Sequence, residues 1–347
     1  MNKKVLLGMS GGVDSSVSAV LLKERGYDVT GVTLNLFPCT SCCSYIDVKS
    51  LCRKIGVEHY ILDGKDDFKK YVIDDFIQSY DNCLTPNPCI ECNKYMKFGY
   101  MYEKAKELGC DYVATGHYAK VEYDEKYGKY VLRKSHAGRK DQSYVLWNIP
   151  KDMLEHVIFP LADFESKEKI REIAREHELP VANKPDSEDI CFIPDGDYKK
   201  FLEENSHIKP KPGNIILADG TVVGKHTGLY HYTIGQRKGL GISYKVPLFV
   251  IGFNKKNNEL IVGEEHELYK KEVTIKDINL LLVDDIYEPL RVSVKTRYSS
   301  KEAVATATQI DNNTIKIVFD EPQARITPGQ SAVMYIDDIV VGGGKII

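Results

Sequence analysis

Val5-Leu6-Leu7-Gly8-Met9-Ser10-Gly11-Gly12-Val13-Asp14-Ser15-Ser16 is the stretch that decides the fold. Residues 5–7 form a short apolar run, which fits a buried strand. Residues 10–15 form a turn rich in Gly and Ser. Residues 16–25 read as a helix closed by Gly26, with Val17, Val20, Leu21 and Leu22 on its apolar side. A strand, a glycine loop and a helix N-terminus in succession make an anion site. Gly11 and Gly12 let the backbone approach a phosphate. Ser10 and Ser15 add hydroxyl donors, and the helix end adds free N–H groups and a positive dipole.

The loop is not a Walker loop, because Gly-Lys-Ser/Thr is missing, and it is not the dinucleotide G-x-G-x-x-G. It resembles the pyrophosphate loop S-G-G-x-D-S of ATP pyrophosphatases. Those enzymes cleave ATP between the α and β phosphates and activate a carbonyl oxygen as an adenylate. The resemblance makes ATP the expected nucleotide, with Asp14 helping to hold Mg²⁺ near the leaving pyrophosphate.

A chain of 347 residues is too long for one typical domain. No apolar run reaches the ~18 residues of a membrane span, and no targeting segment precedes the first strand, so a cytoplasmic protein is expected. In that compartment nine cysteines read as thiols, catalytic groups or metal ligands rather than structural disulfides. The net charge of −3 hides an asymmetry. From Lys209 to Lys256 eight basic residues face the single Asp219, a local charge of +7. A basic segment inside an acidic chain is a footprint for nucleic acid.

Beyond the first helix, residues 29–36 and 59–62 read as strands, 47–55, 66–80 and 94–108 as helices, and 112–115 as a strand entering Gly116-His117. Strands alternating with helices predict an α/β domain, a parallel sheet with helices on both faces. Ligands bind such sheets at the carboxyl ends of the strands, where Leu34, the 10–15 loop, Gly116 and His117 all fall. Residues 166–177 read as a helix capped by Ser166, 184–194 as an irregular loop around Cys191, and 197–204 as a short helix. From Lys209 the strands are short and divided by Gly, Pro, Asn and Asp. Residues 246–253, 259–262, 291–296, 303–309, 314–319 and 332–336 are examples, with Asn257-Asn258 and Asn312-Asn313 as hairpin turns. The expected division is 1–205, 206–270 and 271–347.

Cys89-Ile90-Glu91-Cys92 follows Thr85-Pro86-Asn87-Pro88 and precedes a helix, whose dipole would stabilise a thiolate there. That suits a nucleophile or a metal ligand. Cys191 lies about a hundred residues on, in Ile190-Cys191-Phe192. Cys39, Cys42, Cys43 and Cys52 form another group, with Cys39 expected at the surface and the rest structural; zinc there lacks a second well-spaced pair. His226 and His231 fall in Gly224–Gly241, where Tyr, His, Arg and Lys interleave with Gly and offer stacking faces and phosphate partners for RNA.

These motifs together resemble the bacterial tRNA-specific 2-thiouridylase family, along the whole length. They are Gly8–Ser15, Thr85–Phe98, Ala114-Thr115-Gly116-His117-Tyr118, Lys140–Tyr144, Ile190-Cys191-Phe192-Ile193, Gly228–Gly241, Thr327-Pro328-Gly329-Gln330 and Gly342-Gly343-Gly344. The resemblance implies a pyrophosphatase domain, a small central β-rich domain and a C-terminal β-barrel. It implies that Gly8, Met9, Ser10, Gly11, Gly12, Val13, Asp14, Ser15, Leu34 and Gly116 bind ATP. Cys92 would be the nucleophile and Cys191 the persulfide carrier, with a Cys92–Cys191 disulfide as a product. Asn87, Pro88, Cys89 and His117 would border the target base, and Lys140, Asp141, Gln142, Arg297, Tyr298 and Gln330 would contact the tRNA. Implied partners are tRNAs with a wobble uridine, the Lys, Glu and Gln acceptors, and a cysteine desulfurase or sulfur-relay protein.

Where many members carry Asp, this chain has Cys89. Three thiols, Cys89, Cys92 and Cys191, are the number that holds a [4Fe–4S] cluster with one open iron, which makes a cluster-held sulfide the alternative donor. Two further classes compete: an amide-forming ATP pyrophosphatase, which leaves the cysteines and basic segment without purpose, and a non-catalytic RNA-binding protein, against which the intact loop argues.

Overall fold

The computed structural model describes residues 2–37, 45–185 and 190–347. Cys39, Cys42 and Cys43 lie outside them, so of that cysteine group only Cys52 can be placed, and it is fully buried. The chain opens with β1 (Lys4–Gly8), α1 (Val13–Glu24), β2 (Asp28–Asn35), α2 (Tyr45–Ile55) and β3 (Glu58–Asp63). After two long helical stretches, 65–81 and 88–107, come β4 (Tyr112–Ala114), the hairpin β5 (Ala119–Asp124) and β6 (Lys129–Lys134), and β7 (Val157–Ile158). One sheet runs β3-β2-β1-β4-β7 with every pairing parallel. β1 is central, so Val5, Leu6 and Leu7 are all fully buried, as an unbroken apolar run requires in a sheet covered on both faces. α1 and α2 pack one face through Val17, Leu22, Val48 and Leu51, and Phe98, Met101 and Ala105 of helix 88–107 cover the other.

Local chemistry shifted several expected boundaries. α1 starts at Val13 rather than residue 16, because Gly12 takes the extended N-cap conformation (φ −93°, ψ 168°). The helix expected from residue 94 starts at Pro88: the fixed φ of proline suits the first helical position, and the Asn87 side chain caps it by accepting from the Cys89 N–H (3.2 Å). From Cys92 to Tyr100 this helix is π-wound. Ser166 does precede the helix Lys167–Glu176, but its hydroxyl makes no cap bond. Asp197 caps the helix Tyr198–Asn205 by accepting from the Lys200 N–H (3.1 Å).

The central region holds β8 (Gly213–Ile216), β9 (Val222–His226), β10 (Phe249–Asn254) and β11 (Glu259–Gly263), in the order β10-β11-β8-β9. β10 begins three residues later than expected. Its core of Ile215, Leu229, Tyr232, Leu240, Leu248, Val250, Leu260 and Val262 is drawn from this region alone.

The C-terminal region is a closed six-stranded barrel of β12 (Tyr269–Leu280), β13 (Leu290–Lys295), β14 (Ala303–Asp311), β15 (Thr314–Ala324), β16 (Ser331–Ile336) and β17 (Ile339–Ile346). Pairing of β12 with β17, Ile275 opposite Ile346, closes it. The hairpin β5–β6 extends the barrel sheet at β17. There Arg133 forms an ion pair with Glu122 (2.8 Å) and donates to Asp124 and Asp338 (2.7 Å). Below it Leu6, Val113 and Trp147 of the first region share one core with Leu281, Val333, Tyr335 and Val340 of the barrel. Gly343 makes room for this: a Cβ on it would lie 3.0 Å from the Trp147 ring. Among the described residues no helix is long and apolar enough to cross a membrane.

Candidate active site

The loop between β1 and α1 sits at the carboxyl end of the central strand. Ser15 Oγ lies 3.2 Å from Ser10 Oγ and accepts from the Ser10 N–H (3.3 Å), which ties the two ends of the loop together. The Met9 N–H donates to the Val32 carbonyl (2.7 Å) and anchors the loop on β2. Gly11 adopts φ +73°, and Gly12 leaves the α1 N-terminus with no side-chain cap, so its donors face outward. Gly8 and Val13 line the base of the loop, Val13 buried, and Leu34, next to the last residue of β2, is half-buried between two cores. Gly116 closes the other side: a Cβ there would meet the Asp14 carbonyl carbon and the Ser15 nitrogen, both at 3.0 Å.

Asp14 has partners of its own. Its carboxylate accepts from the Tyr118 hydroxyl (2.8 Å) and pairs with Lys167 Nζ (2.8 Å). Lys184 Nζ donates to the Gly11 carbonyl (3.0 Å). Two lysines that no motif flagged therefore reach the loop. Lys167 carried one signal, because a cation in the first turn of a helix opposes the dipole and calls for a separate reason. Among the described residues no group of three His, Cys, Asp or Glu is arranged to hold a metal ion. Mg²⁺ at Asp14 would therefore take its other ligands from nucleotide phosphates.

Next to Gly116 the neutral ring of His117 links the loop to the cysteines. Its Nε2 lies 3.4 Å from Lys97 Nζ and its Nδ1 lies 2.7 Å from Thr115 Oγ1. The ammonium only donates, so Nε2 accepts and Nδ1 carries the proton. Burial, with Lys97 alongside, pushes the imidazole well below its ordinary range. Lys97 also acts electrostatically on Cys89, Cys92 and Cys191. Cys92 packs in one cluster with Ile190, Phe192 and Ile193, the neighbours of Cys191, so the structure brings Cys191 to the Cys89–Cys92 pair about a hundred residues earlier in the chain. All three are free thiols.

The expected dipole-stabilised thiolate is not what the pocket provides. Cys92 is buried and Cys89 and Cys191 sit at its rim, yet all three are crowded by protein. Desolvation pushes Cys92 up to about 11 and Cys191 up to about 12, and raises Cys89. Lys97 offsets this only in part, so the thiols rest protonated at neutral pH.

Several residues expected to face tRNA turn inward. Asp141 is buried and accepts from the Ser135 N–H (2.8 Å) and the Ser143 hydroxyl (2.6 Å), bracing its own turn. Gln142 exchanges bonds with the Tyr118 backbone, accepting at 2.9 Å and donating at 2.7 Å. Arg297 donates to the Ile234 carbonyl (2.9 Å) and the Thr327 hydroxyl, joining barrel to central region. Gln330 Nε2 donates to the Thr85 (2.7 Å) and Pro86 (3.3 Å) carbonyls. Lys140 and Tyr298 are exposed, Tyr298 edge-on to Tyr144. Pro88 is buried in the first turn of its helix. His226 and His231 do not form an RNA surface: His226 is buried against the Asn258 carbonyl (3.1 Å), and His231 is held by Glu203 (3.3 Å) and Thr227 (2.7 Å). Arg237, Lys238 and Lys245 are exposed, with Arg237 and Lys245 lining a cleft of about 410 Å³.

Residues 3–195 match the family model of the tRNA methyl transferase HUP domain, 199–264 that of the tRNA methyl transferase PRC-barrel domain, and 270–346 that of the aminomethyltransferase β-barrel domain. A tRNA-specific 2-thiouridylase MnmA from Clostridioides difficile (strain 630) is 50% identical over 100% of this chain and 98% of its own. Counterparts of the same name from Acetivibrio thermocellus (47%; 99% of each chain) and Clostridium beijerinckii (47%; 100% of this chain and 99% of its own) match as fully. The pyrophosphate-type loop, the three converging thiols and full-length identity near one half agree: the chain belongs to the tRNA-specific 2-thiouridylase family.

Proposed function

We propose that this chain uses ATP to replace the C2 oxygen of a tRNA wobble uridine with sulfur carried on Cys191. The observation that carries this reading is the continuity of the site: Gly116 abuts the phosphate loop, His117 follows it, and Lys97 connects His117 to all three thiols. A base seated there would have its carbonyl oxygen toward the nucleotide and its carbon toward sulfur.

The uracil C2 oxygen attacks the α phosphorus of ATP, pyrophosphate leaves with the bond's electron pair, and the oxygen becomes an adenylate. Lys167 and Lys184, beside the loop, would take up negative charge on the departing group, and Mg²⁺ would neutralise more of it. A desulfurase or relay protein supplies a persulfide on Cys191. Its terminal sulfur adds to C2 and AMP leaves. The Cys92 thiolate then attacks Cys191 Sγ and breaks the sulfur–sulfur bond. The electron pair stays on the transferred sulfur, a Cys92–Cys191 disulfide forms, and a cellular thiol must reduce it. Lys97 would stabilise the Cys92 thiolate that burial resists. The target base must leave its stack to enter the pocket. Arg237, Lys238 and Lys245 would bind the tRNA backbone, and Asn87 and Pro88 would border the base by shaping the helix entry. In this division 1–205 does the chemistry, 206–270 binds tRNA, and 271–347 completes the site.

The alternative donor is sulfide on a [4Fe–4S] cluster held by Cys89, Cys92 and Cys191, whereas the persulfide route needs only Cys92 and Cys191. Iron and acid-labile sulfide assays on anaerobically purified protein test it. Activity without iron is expected. About four irons per chain, lost in Cys89→Ala, would replace the persulfide route with cluster-held sulfide. For the reaction itself, Cys191→Ser should abolish thiolation while tRNA binding and tRNA-dependent pyrophosphate release persist. Normal thiolation by that variant with a physiological donor would overturn the assignment.

A further inference from the structure

We propose that the C-terminal barrel positions the cysteine segment of the active site, with Lys345 and Gln330 as the positioning residues. The approach to the cysteines, residues 84–87, belongs to no helix or strand. Pro86 removes a backbone donor from it, and Pro88 removes another where the helix begins. The barrel supplies what this stretch lacks. The Thr85 N–H donates to the Pro328 carbonyl (2.9 Å), and Gln330 Nε2 donates to the Thr85 and Pro86 carbonyls. Gly329, at φ +89°, lets the two turns touch: a Cβ there would lie 2.8 Å from the Thr85 nitrogen.

A second hold grips the middle of the motif. Glu91, between Cys89 and Cys92, has a side chain only 8% exposed. Its Oε1 lies 3.0 Å from Lys345 Nζ, which also reaches Asp75 Oδ1 on helix 65–81 (3.3 Å). Lys345 stands at the barrel seam, opposite Ser331 on β16 and Lys276 on β12. The two holds are themselves bonded together: the Gly329 N–H donates to the Ile346 carbonyl (3.0 Å) and the Ile346 N–H to the Gln330 carbonyl (2.8 Å). One patch of the barrel therefore fixes both the entry and the centre of Cys89–Cys92. Removing Lys345 would leave a buried carboxylate without its cation, and the segment would have to shift to hydrate it.

The inference rests on the sulfur-transfer reading, and its test separates the two. Lys345→Met and the neutral pair Glu91→Gln/Lys345→Met are compared with the parent chain; the pair guards against simple unfolding from an unpaired charge. Two quantities are read: the single-turnover rate of sulfur transfer against tRNA-dependent pyrophosphate release, and the rate at which iodoacetamide alkylates Cys92 in the folded chain, followed by peptide mass spectrometry. We expect sulfur transfer to fall on the order of a hundredfold in both variants while pyrophosphate release and tRNA affinity hold, as for a reacting group displaced by about 1 Å. Cys92 alkylation should accelerate, and Lys345→Arg should restore both. Parent-like alkylation and sulfur transfer in the folded variants would overturn the proposal. If the parent chain transfers no sulfur, the functional reading fails, and the alkylation rates alone decide whether the barrel positions Cys92.

Discussion

The central region and the barrel both follow the catalytic domain as stretches of short strands, yet they meet it differently. The central region has a core of its own and contributes only Ile208 and Tyr230 to the buried residues of the cluster around Cys92. The barrel shares a core with Leu6, Val113 and Trp147, extends its sheet with the β5–β6 hairpin, and holds the C-x-x-C segment at two points. Position along the chain thus says little about attachment. The more basic region is the separable one, and the last region in sequence is the one built into the site.

Two glycines break or sharpen this contrast most strongly. Gly329 of the barrel and Gly220 of the central region have nearly equal φ, +89° and +87°. A Cβ on Gly220 meets nothing within 4 Å, whereas one on Gly329 meets the Thr85 nitrogen at 2.8 Å and Leu84 Cβ at 2.9 Å. Gly220→Ala should cost about 1 kcal/mol from backbone strain alone, and Gly329→Ala roughly 2–4 kcal/mol in urea unfolding. Equal costs would mean the two turns do not press on each other.

Charge reversal comes next. Arg237→Glu with Lys238→Glu should weaken tRNA affinity by about tenfold or more at low salt and flatten the salt dependence by about two units of log–log slope. Stability should stay within about 0.5 kcal/mol, since both residues are exposed. Unchanged affinity at low salt would remove this segment from the interface.

The pH dependence of the thiols probes the barrel-held pocket. Burial favours the neutral form and pushes Cys92 up to about 11. Its alkylation rate should therefore climb about tenfold per pH unit from 7 to 10, without the plateau of a thiol near the ordinary ~8.5. A plateau below pH 9 would show that the pocket does not desolvate Cys92.

The smallest effect is expected where the central region touches the first domain through Lys255. Its Nζ reaches Asp81 (3.2 Å) and Asn82 (3.1 Å), all at the surface. Lys255→Ala should change stability by no more than about 0.5 kcal/mol. A loss above 2 kcal/mol would make the central region as firmly bound as the barrel.

The phosphate loop and the parallel sheet were legible because both are local. An apolar run, three glycines and an uncapped helix start lie within twelve consecutive residues, Val5 to Ser16. The boundary errors were local too: Asn87 with Pro88 starts a helix six residues early, and nothing in the 94–108 periodicity reports that. Asp141, Gln142, Arg297 and Gln330 sit in recognisable motifs, but a motif does not say which way a side chain turns. Asp141 turns into a buried carboxylate cage, and Gln330 reaches back across 244 residues to Pro86.

The sequence alone determined the nucleotide loop, the α/β class of the first region, the β character of the rest and the identity of the cysteines. Each depends on residues that interact with near neighbours. Tertiary structure alone decided that Lys167 and Lys184 reach the loop, that Lys97 joins His117 to three thiols, and that the barrel grips Glu91. These pairings join chain segments up to about 250 residues apart, and only the packing of one shared core brings such groups within bonding distance. It also set the surroundings of Cys92, where burial raises the thiol and Lys97 offsets that only in part.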